Sequence, residues 1–200
     1  KMLTTRRVLL SVVAAGAALP SVPAFAQDVV RAERAVGNAD AKTTVVEYFS
    51  LTCSHCAAFA KETMPQVKSE LIETGKIRWV YKDFPLNQVD LIAFSVTRYL
   101  PVERYAAFVE ALLSTQDRWA FARGIDPVEE LWKMAALAGM SRATFDKAKA
   151  DEALFKWILS EQQDAQKKYG VDSTPTFVVN NEVQKGHLTF DRLKKLIPGA

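Results

Sequence analysis

The sequence predicts an α/β domain in the order βαβ, then an all-helical insertion, then ββα. Three observations predict it. Two runs rich in β-branched and aromatic residues flank a helix-length stretch near residues 43–84. A long central region then carries apolar residues at helical spacing, and the chain returns to β-branched residues near its end. Two hundred residues suffice for one domain with an insertion and a proper core.

The start of the chain is set aside before the fold is considered. Arg6 and Arg7 precede an apolar run from Val8 to Leu19, Pro20 breaks it, and Ala24-Phe25-Ala26 offers a small-x-small cleavage site before Gln27. That order predicts a secretory signal peptide over residues 1–26, removed after Ala26. The apolar run is short of the roughly 20 residues a spanning helix needs, so no stable membrane insertion is expected. Thr5-Arg6-Arg7-Val8-Leu9-Leu10 also resembles a twin-arginine export signal. Either route ends outside the cytoplasm, where thiols can be oxidised, and the expected compartment is the periplasm.

The net charge of +3 comes from Lys1, Arg6 and Arg7. Without them 23 basic residues face 23 acidic ones, so the remainder carries no electrostatic footprint for nucleic acid or an anionic membrane. The basic pI belongs to the leader.

After a short polar lead-in, Thr43 to Ser50 reads as a buried strand. A helix follows from about Cys53 to Glu73, kinked at Pro65. Ile77 to Phe84 is a second strand, stopped by Pro85, and the βαβ order makes the two strands parallel. From about Gln88 to Tyr169 the pattern is helical: Tyr105, Phe108, Val109, Leu112 and Leu113 form one apolar stripe. Asp126 caps a helix with Pro127 at its first position, and Ser141 caps a shorter one. The Trp and Phe residues of this block are expected in the core. Thr176 to Val179, an Asn180-Asn181 turn and a short strand read as a hairpin, before a helix from Phe190 to Ile197. The expected division is 27–87 with 170–200 as one α/β domain, and 88–169 as the insertion.

Cys53 and Cys56 are the only cysteines, three apart at a strand-to-helix junction. A cysteine at a helix N-terminus faces unpaired backbone N–H groups and the positive end of the helix dipole, and both favour the thiolate. His55 adds a donor, or a positive charge, beside the Cys53 sulfur. The spacing lets the second thiol attack a mixed disulfide formed at the first. Cys53 is thus expected as the exposed nucleophile and Cys56, nearly one turn in, as the buried resolving thiol. Zinc usually needs four ligands, and only Cys53, Cys56, His55 and His187 are on offer, with His55 poorly placed inside the cysteine loop. No metal and no cofactor is expected. A structural disulfide closing so small a loop would constrain little. The pair reads as a redox-active disulfide.

Val46-Glu47-Tyr48-Phe49-Ser50 leading into Cys53-Ser54-His55-Cys56, Tyr81-Lys82-Asp83-Phe84-Pro85-Leu86, and Gly170-Val171-Asp172-Ser173-Thr174-Pro175-Thr176-Phe177 together make the sequence resemble the DsbA family of periplasmic thiol:disulfide oxidoreductases. The resemblance covers about Thr43 to Ile197. It implies a thioredoxin fold interrupted by a helical domain, with Pro175 as the cis-proline facing the cysteines and Thr174–Pro175 as a substrate-binding edge. It also implies that Glu47 is the buried acid beneath the cysteines, relaying protons to Cys56. Ser54 stands where the family often has proline, which bears on the redox potential rather than the reaction.

The resemblance implies clients that are unfolded or reduced exported proteins, and reoxidation by a membrane quinone-linked partner resembling DsbB. The alternative is a periplasmic disulfide isomerase or reductase kept in the dithiol form. Family isomerases usually carry an N-terminal oligomerisation region, for which Gln27 to Lys42 is too short, and this favours the oxidase. Intact Cys53 and Cys56 argue against a redox-inert binding module.

Overall fold

A computed structural model describes residues 29–199; the leader expected at 1–26 lies outside the described residues. The central strand, β2 (Thr43–Phe49), pairs with β3 (Ile77–Asp83) in parallel, as expected, with Glu47 opposite Tyr81. On its other side β2 pairs antiparallel with β4 (Thr176–Val179), which turns through Asn180 and Asn181 into β5 (Glu182–Lys185). Both asparagines have positive φ, 50° and 67°, the backbone a two-residue hairpin of primed type demands.

The sequence reading missed one strand. Arg34–Gly37 forms β1, antiparallel to β3, so the sheet has five strands in the order β1-β3-β2-β4-β5. Residues 29–42 are therefore more than a polar lead-in. The strand hides because its first residue, Arg34, is 1% exposed, which no polarity pattern signals. Its guanidinium donates to the carbonyls of Val29 (3.2 Å), Ala32 (3.3 Å) and Arg98 (3.0 Å). Gly37 ends the strand at φ +91°, where a Cβ would meet the Ile77 carbonyl oxygen at 2.5 Å.

The helix expected from Cys53 to Glu73 is in three pieces: α1 (Ser54–Glu62), α2 (Met64–Val67) and a π-helical turn, Lys68–Ile72. The break falls at Thr63, ahead of the proline. Pro65 occupies the first turn of α2, where its missing N–H costs nothing.

The central block comprises α3 (Gln88–Arg98), α4 (Val102–Ser114), α5 (Gln116–Trp119), α6 (Pro127–Leu137), α7 (Arg142–Ala148) and α8 (Glu152–Tyr169), and α9 (Phe190–Lys195) closes the fold. Asp126 accepts from Val128 N and Ser141 from Thr144 N, the caps read from the sequence. Gly170 ends α8 in the left-handed conformation at φ 64°.

One face of the sheet and the helical block share the main core, in which Phe59 of α1 stacks on Trp79 at 6.0 Å and meets Phe177 at 4.7 Å. The opposite face, through Tyr48 and Val178, packs a smaller cluster with Ala165 and Val171. Trp119 and Phe145 are buried as expected, but Phe121 is not: it is 58% exposed on the loop after α5. Among the described residues no helix is long and apolar enough to cross a membrane.

Candidate active site

Between the end of β2 and the start of α1 lie Ser50 to Cys53, and two side chains of the helical block hold this loop. Asp90, in the first turn of α3 and fully buried, accepts from Ser50 Oγ (2.6 Å), Leu51 N (2.9 Å) and Leu86 N (2.9 Å). Burial raises its pKa to about 6, against the lowering effect of those donors. Asn87 caps α3 by accepting from Asp90 N, and its own amide donates to Thr52 Oγ1 at 2.9 Å. From α5, Gln116 Nε2 donates to Leu51 O (2.8 Å) and Cys53 O (3.1 Å).

Cys53 is the N-cap of α1, with extended backbone at φ −90° and ψ 123°, and its carbonyl accepts the first helical bond from Ala57 N at 3.1 Å. Both cysteines are free thiols here. The Cys53 pKa is lowered to about 5. A hydrogen bond with the Cys56 thiol is the largest cause; burial opposes it, and the Thr174 side chain and the backbone N–H groups of Cys56 and His55 add to the lowering. The backbone donors are the helix N-terminus at work. Cys56, fully buried, moves the other way: burial pushes its thiol far up, and the neighbouring Cys53 adds to that. One sulfur is held as an anion at neutral pH and the other as a thiol.

The Thr174–Pro175 peptide bond is cis, and Cys53 Sγ donates to Thr174 O at 3.4 Å. The Thr174 hydroxyl is buried and, among the described residues, has no hydrogen-bond partner while Cys53 is a thiol. Ionised Cys53 supplies an acceptor for it, which reconciles that orphan with its lowering effect on the sulfur.

Glu47 projects from β2 into the same core as Cys56, 3% exposed, with Trp79 Nε1 donating to it at 3.2 Å. Burial raises its pKa to about 8, only partly offset by that bond, and its charge is among the causes that raise Cys56. Cys53, Cys56, Glu47 and Thr174–Pro175 are thus brought together. Ser54 and His55 are not part of that cluster as side chains: both are exposed, and His55 acts on the sulfur through its backbone N–H. His187 lies elsewhere, against the Phe59 ring and 3.8 Å from Glu62.

Sequence reasoning passed over Asp90 and Gln116. Asp90 falls three residues after an asparagine, where an acid reads as helix capping. Gln116 had a fainter signal: it continues the stripe of Tyr105, Phe108 and Leu112, and is a polar residue where the next apolar one was due.

A low-pKa thiol at a helix N-terminus, a buried second thiol one turn on and a facing cis-proline, all on a sheet of this order, define a thioredoxin-like dithiol protein. The chain belongs to the thioredoxin family, whose model, described as Thioredoxin, matches residues 30–198. Its solved neighbours include DsbA proteins: alpha-DsbA1 of Wolbachia pipientis superposes with a TM-score of 0.76 at 26% identity, covering 84% of this chain and 89% of that one. A protein-disulfide isomerase of Novosphingobium aromaticivorans gives 0.72 at 25% identity over 82% and 95%. In sequence, a Rickettsia bellii protein named as a protein-disulfide oxidoreductase is 30% identical over 166 residues, covering 82% of this chain and 63% of its own length. The chain spans about three fifths of the length of such Rickettsia relatives.

Proposed function

We propose that this protein is a thiol:disulfide oxidoreductase that passes a Cys53–Cys56 disulfide to reduced exported proteins. The observation that carries the reading is the split between the two sulfurs, Cys53 lowered to about 5 and Cys56 raised by burial.

The split gives each sulfur a role. A client thiolate attacks Cys53 Sγ, the accessible sulfur; the Cys53–Cys56 bond breaks, and Cys56 takes the electron pair. Its high pKa requires a proton at that moment. Glu47, protonated at neutral pH with a pKa of about 8, is the nearby acid that can supply it. A second client thiolate then attacks the client sulfur of the mixed disulfide, and Cys53 leaves as a thiolate. A thiol of low pKa is a good leaving group, which drives release. The client loses two electrons and two protons, and the cysteine pair gains the electrons. Thr174 and Pro175 border Cys53 and form the edge along which an extended client segment lies.

Net donation of disulfides suits a compartment outside the reducing cytoplasm, and on this reading the protein works in the periplasm, delivered by the 1–26 leader and reoxidised by a quinone-linked membrane partner resembling DsbB. The chemistry needs no cofactor or metal. The name of the Rickettsia bellii relative and the DsbA-type neighbours support this reading.

Cys56→Ser should accumulate mixed disulfides between Cys53 and clients, and Cys53→Ser should give none. Equal trapping by both variants would overturn the assignment of nucleophile and resolver. Thiol trapping in cells fixes the direction of flow. A mostly oxidised pair supports the oxidase, and a mostly reduced pair makes the protein an isomerase or reductase.

A further inference from the structure

We propose that Gln116 is a positioning residue for Cys53: its amide, carried by the helical block, fixes the peptide that bears the reactive sulfur. The inference rests on the reading of Cys53 as the nucleophile.

The geometry is specific. Gln116 is buried, and its Nε2 donates to two carbonyls on either side of Thr52, Leu51 O at 2.8 Å and Cys53 O at 3.1 Å. Among the described residues no backbone N–H reaches Leu51 O, so without Gln116 a buried acceptor is left unpaired. The glutamine is itself held firmly. It opens a one-turn helix whose far end is anchored by Trp119, 1% exposed, with its indole N–H on Leu112 O at 2.8 Å. Ala120 N closes the turn onto Gln116 O at 3.0 Å.

Residue type matters at this position. A neutral amide offers two N–H donors in a buried place without bringing a charge. Glutamate there would be an acceptor facing two carbonyl oxygens, and methionine has the length without the donors. The Cys53 pKa is lowered first by the hydrogen bond with the Cys56 thiol, then by Thr174 across the groove and by the backbone N–H groups of Cys56 and His55. Those contacts depend on the backbone angles of the N-cap residue. A clamp on Cys53 O and Leu51 O sets those angles, so loss of the clamp loosens the sulfur from its donors. The helical block thereby reaches the reacting atom through one side chain.

The test is the ultraviolet thiolate titration of the reduced protein. Gln116→Glu and Gln116→Met should each raise the Cys53 pKa by about one unit, a tenfold loss of thiolate in acid. The equilibrium with glutathione should shift toward a less oxidising disulfide. The exposed neighbour Asp117→Asn, on the same helix, should leave both unchanged. If either folded Gln116 variant, by circular dichroism and a cooperative denaturant melt, keeps the wild-type titration and glutathione equilibrium, the glutamine only packs and the inference falls. An ordinary Cys53 pKa in the wild-type protein is a different result: it overturns the functional reading, and this inference with it.

Discussion

Two carboxylates are buried in the sheet, Glu47 in the middle of β2 and Asp83 at the end of β3, and the chain treats them in opposite ways. Asp83 is surrounded by partners. The Arg98 guanidinium pairs with it, Tyr105 donates its hydroxyl at 2.7 Å, and Arg34 lies over the Tyr105 ring at 5.3 Å. Arg98 also donates to Val30 O (3.1 Å) and Ala32 O (3.2 Å), so the cluster ties the entry to β1, the end of β3 and two helices together. Glu47 has the Trp79 indole as its hydrogen-bond partner and, among the described residues, no cation beside it. A buried acid with its charge compensated is a structural joint. One left uncompensated costs stability and holds a proton, and this one lies near Cys56, where the proposed exchange calls for a proton.

The comparison breaks most visibly at Asp83. Asp83→Asn leaves Arg98 and Arg34 buried without a counter-charge and should destabilise the fold by about 3–5 kcal/mol in denaturant melts. The Cys53 titration of the folded variant should stay where it was. A large pKa change there would mean that the two networks are one.

Glu47 should respond with the opposite sign. Its folded pKa of about 8 lies above the ordinary 4.5, so the fold prefers the neutral acid. Its stabilising effect is full below pH 4.5 and is lost as pH rises toward 8. At pH 7 the loss is on the order of 3 kcal/mol. Glu47→Gln keeps an acceptor for Trp79 and removes that loss, so the variant should be more stable than wild type at pH 7 and no more stable at pH 4. Exchange turnover should fall, because glutamine cannot hand a proton to Cys56. A variant that is less stable at pH 7 would show that Glu47 is ionised and paired.

What was legible in the sequence follows the same division. The Cys53–Cys56 pair, Pro175, the parallel β2–β3 pairing and the Asn180-Asn181 turn depend on local chemistry, spacing and period, which a string of residues displays. Arg34 in a core, Asp90 reaching back to Ser50 and Gln116 reaching Cys53 O depend on pairs 39 to 65 residues apart, as from Leu51 to Asp90 or Gln116. No local pattern encodes them. His55 shows the converse error. Nearness in sequence suggested that its ring would tune the sulfur, but the first turn of α1 directs that side chain to solvent and leaves only its N–H at the site.

The disulfide sharpens the contrast between the two regions, because reduction changes charge at Cys53 and leaves Asp83 alone. In the dithiol form the folded Cys53 pKa of about 5 lies below the unfolded value of roughly 8.5. That contribution is full above pH 8.5 and is lost as pH falls through 5. At pH 7, discounted for solvent screening of a half-exposed sulfur, it is about 2 kcal/mol. Closing so short a loop stabilises the oxidised form by a similar amount, about 2 kcal/mol. Parallel melts of the two forms should therefore cross near neutral pH, with the reduced form favoured above and the oxidised form below. A gap independent of pH between 5 and 8.5 would remove the folded thiolate.

Thr174→Val is the finest probe of the same sulfur. The Thr174 hydroxyl is buried, lacks a hydrogen-bond partner among the described residues in the thiol form, and is one of several causes that lower Cys53, behind the bond with Cys56. Valine keeps the shape of threonine and the Thr174 carbonyl, so the 3.4 Å contact with the neutral thiol survives while the donor to the thiolate is gone. The Cys53 pKa should rise by less than about one unit, under roughly 1.4 kcal/mol of thiolate stabilisation. Stability of the oxidised form should hold or improve, since an unsatisfied buried hydroxyl is exchanged for a methyl group. The pH at which the two redox melts cross should move up by the same interval as the titration. Neither Glu47 nor Asp83 hydrogen-bonds this hydroxyl, so the stability changes of Thr174→Val and Asp83→Asn should add when the two are combined. If the crossing point moves while the thiolate titration does not, the hydroxyl acts on the disulfide form, and the orphan at Thr174 has another explanation.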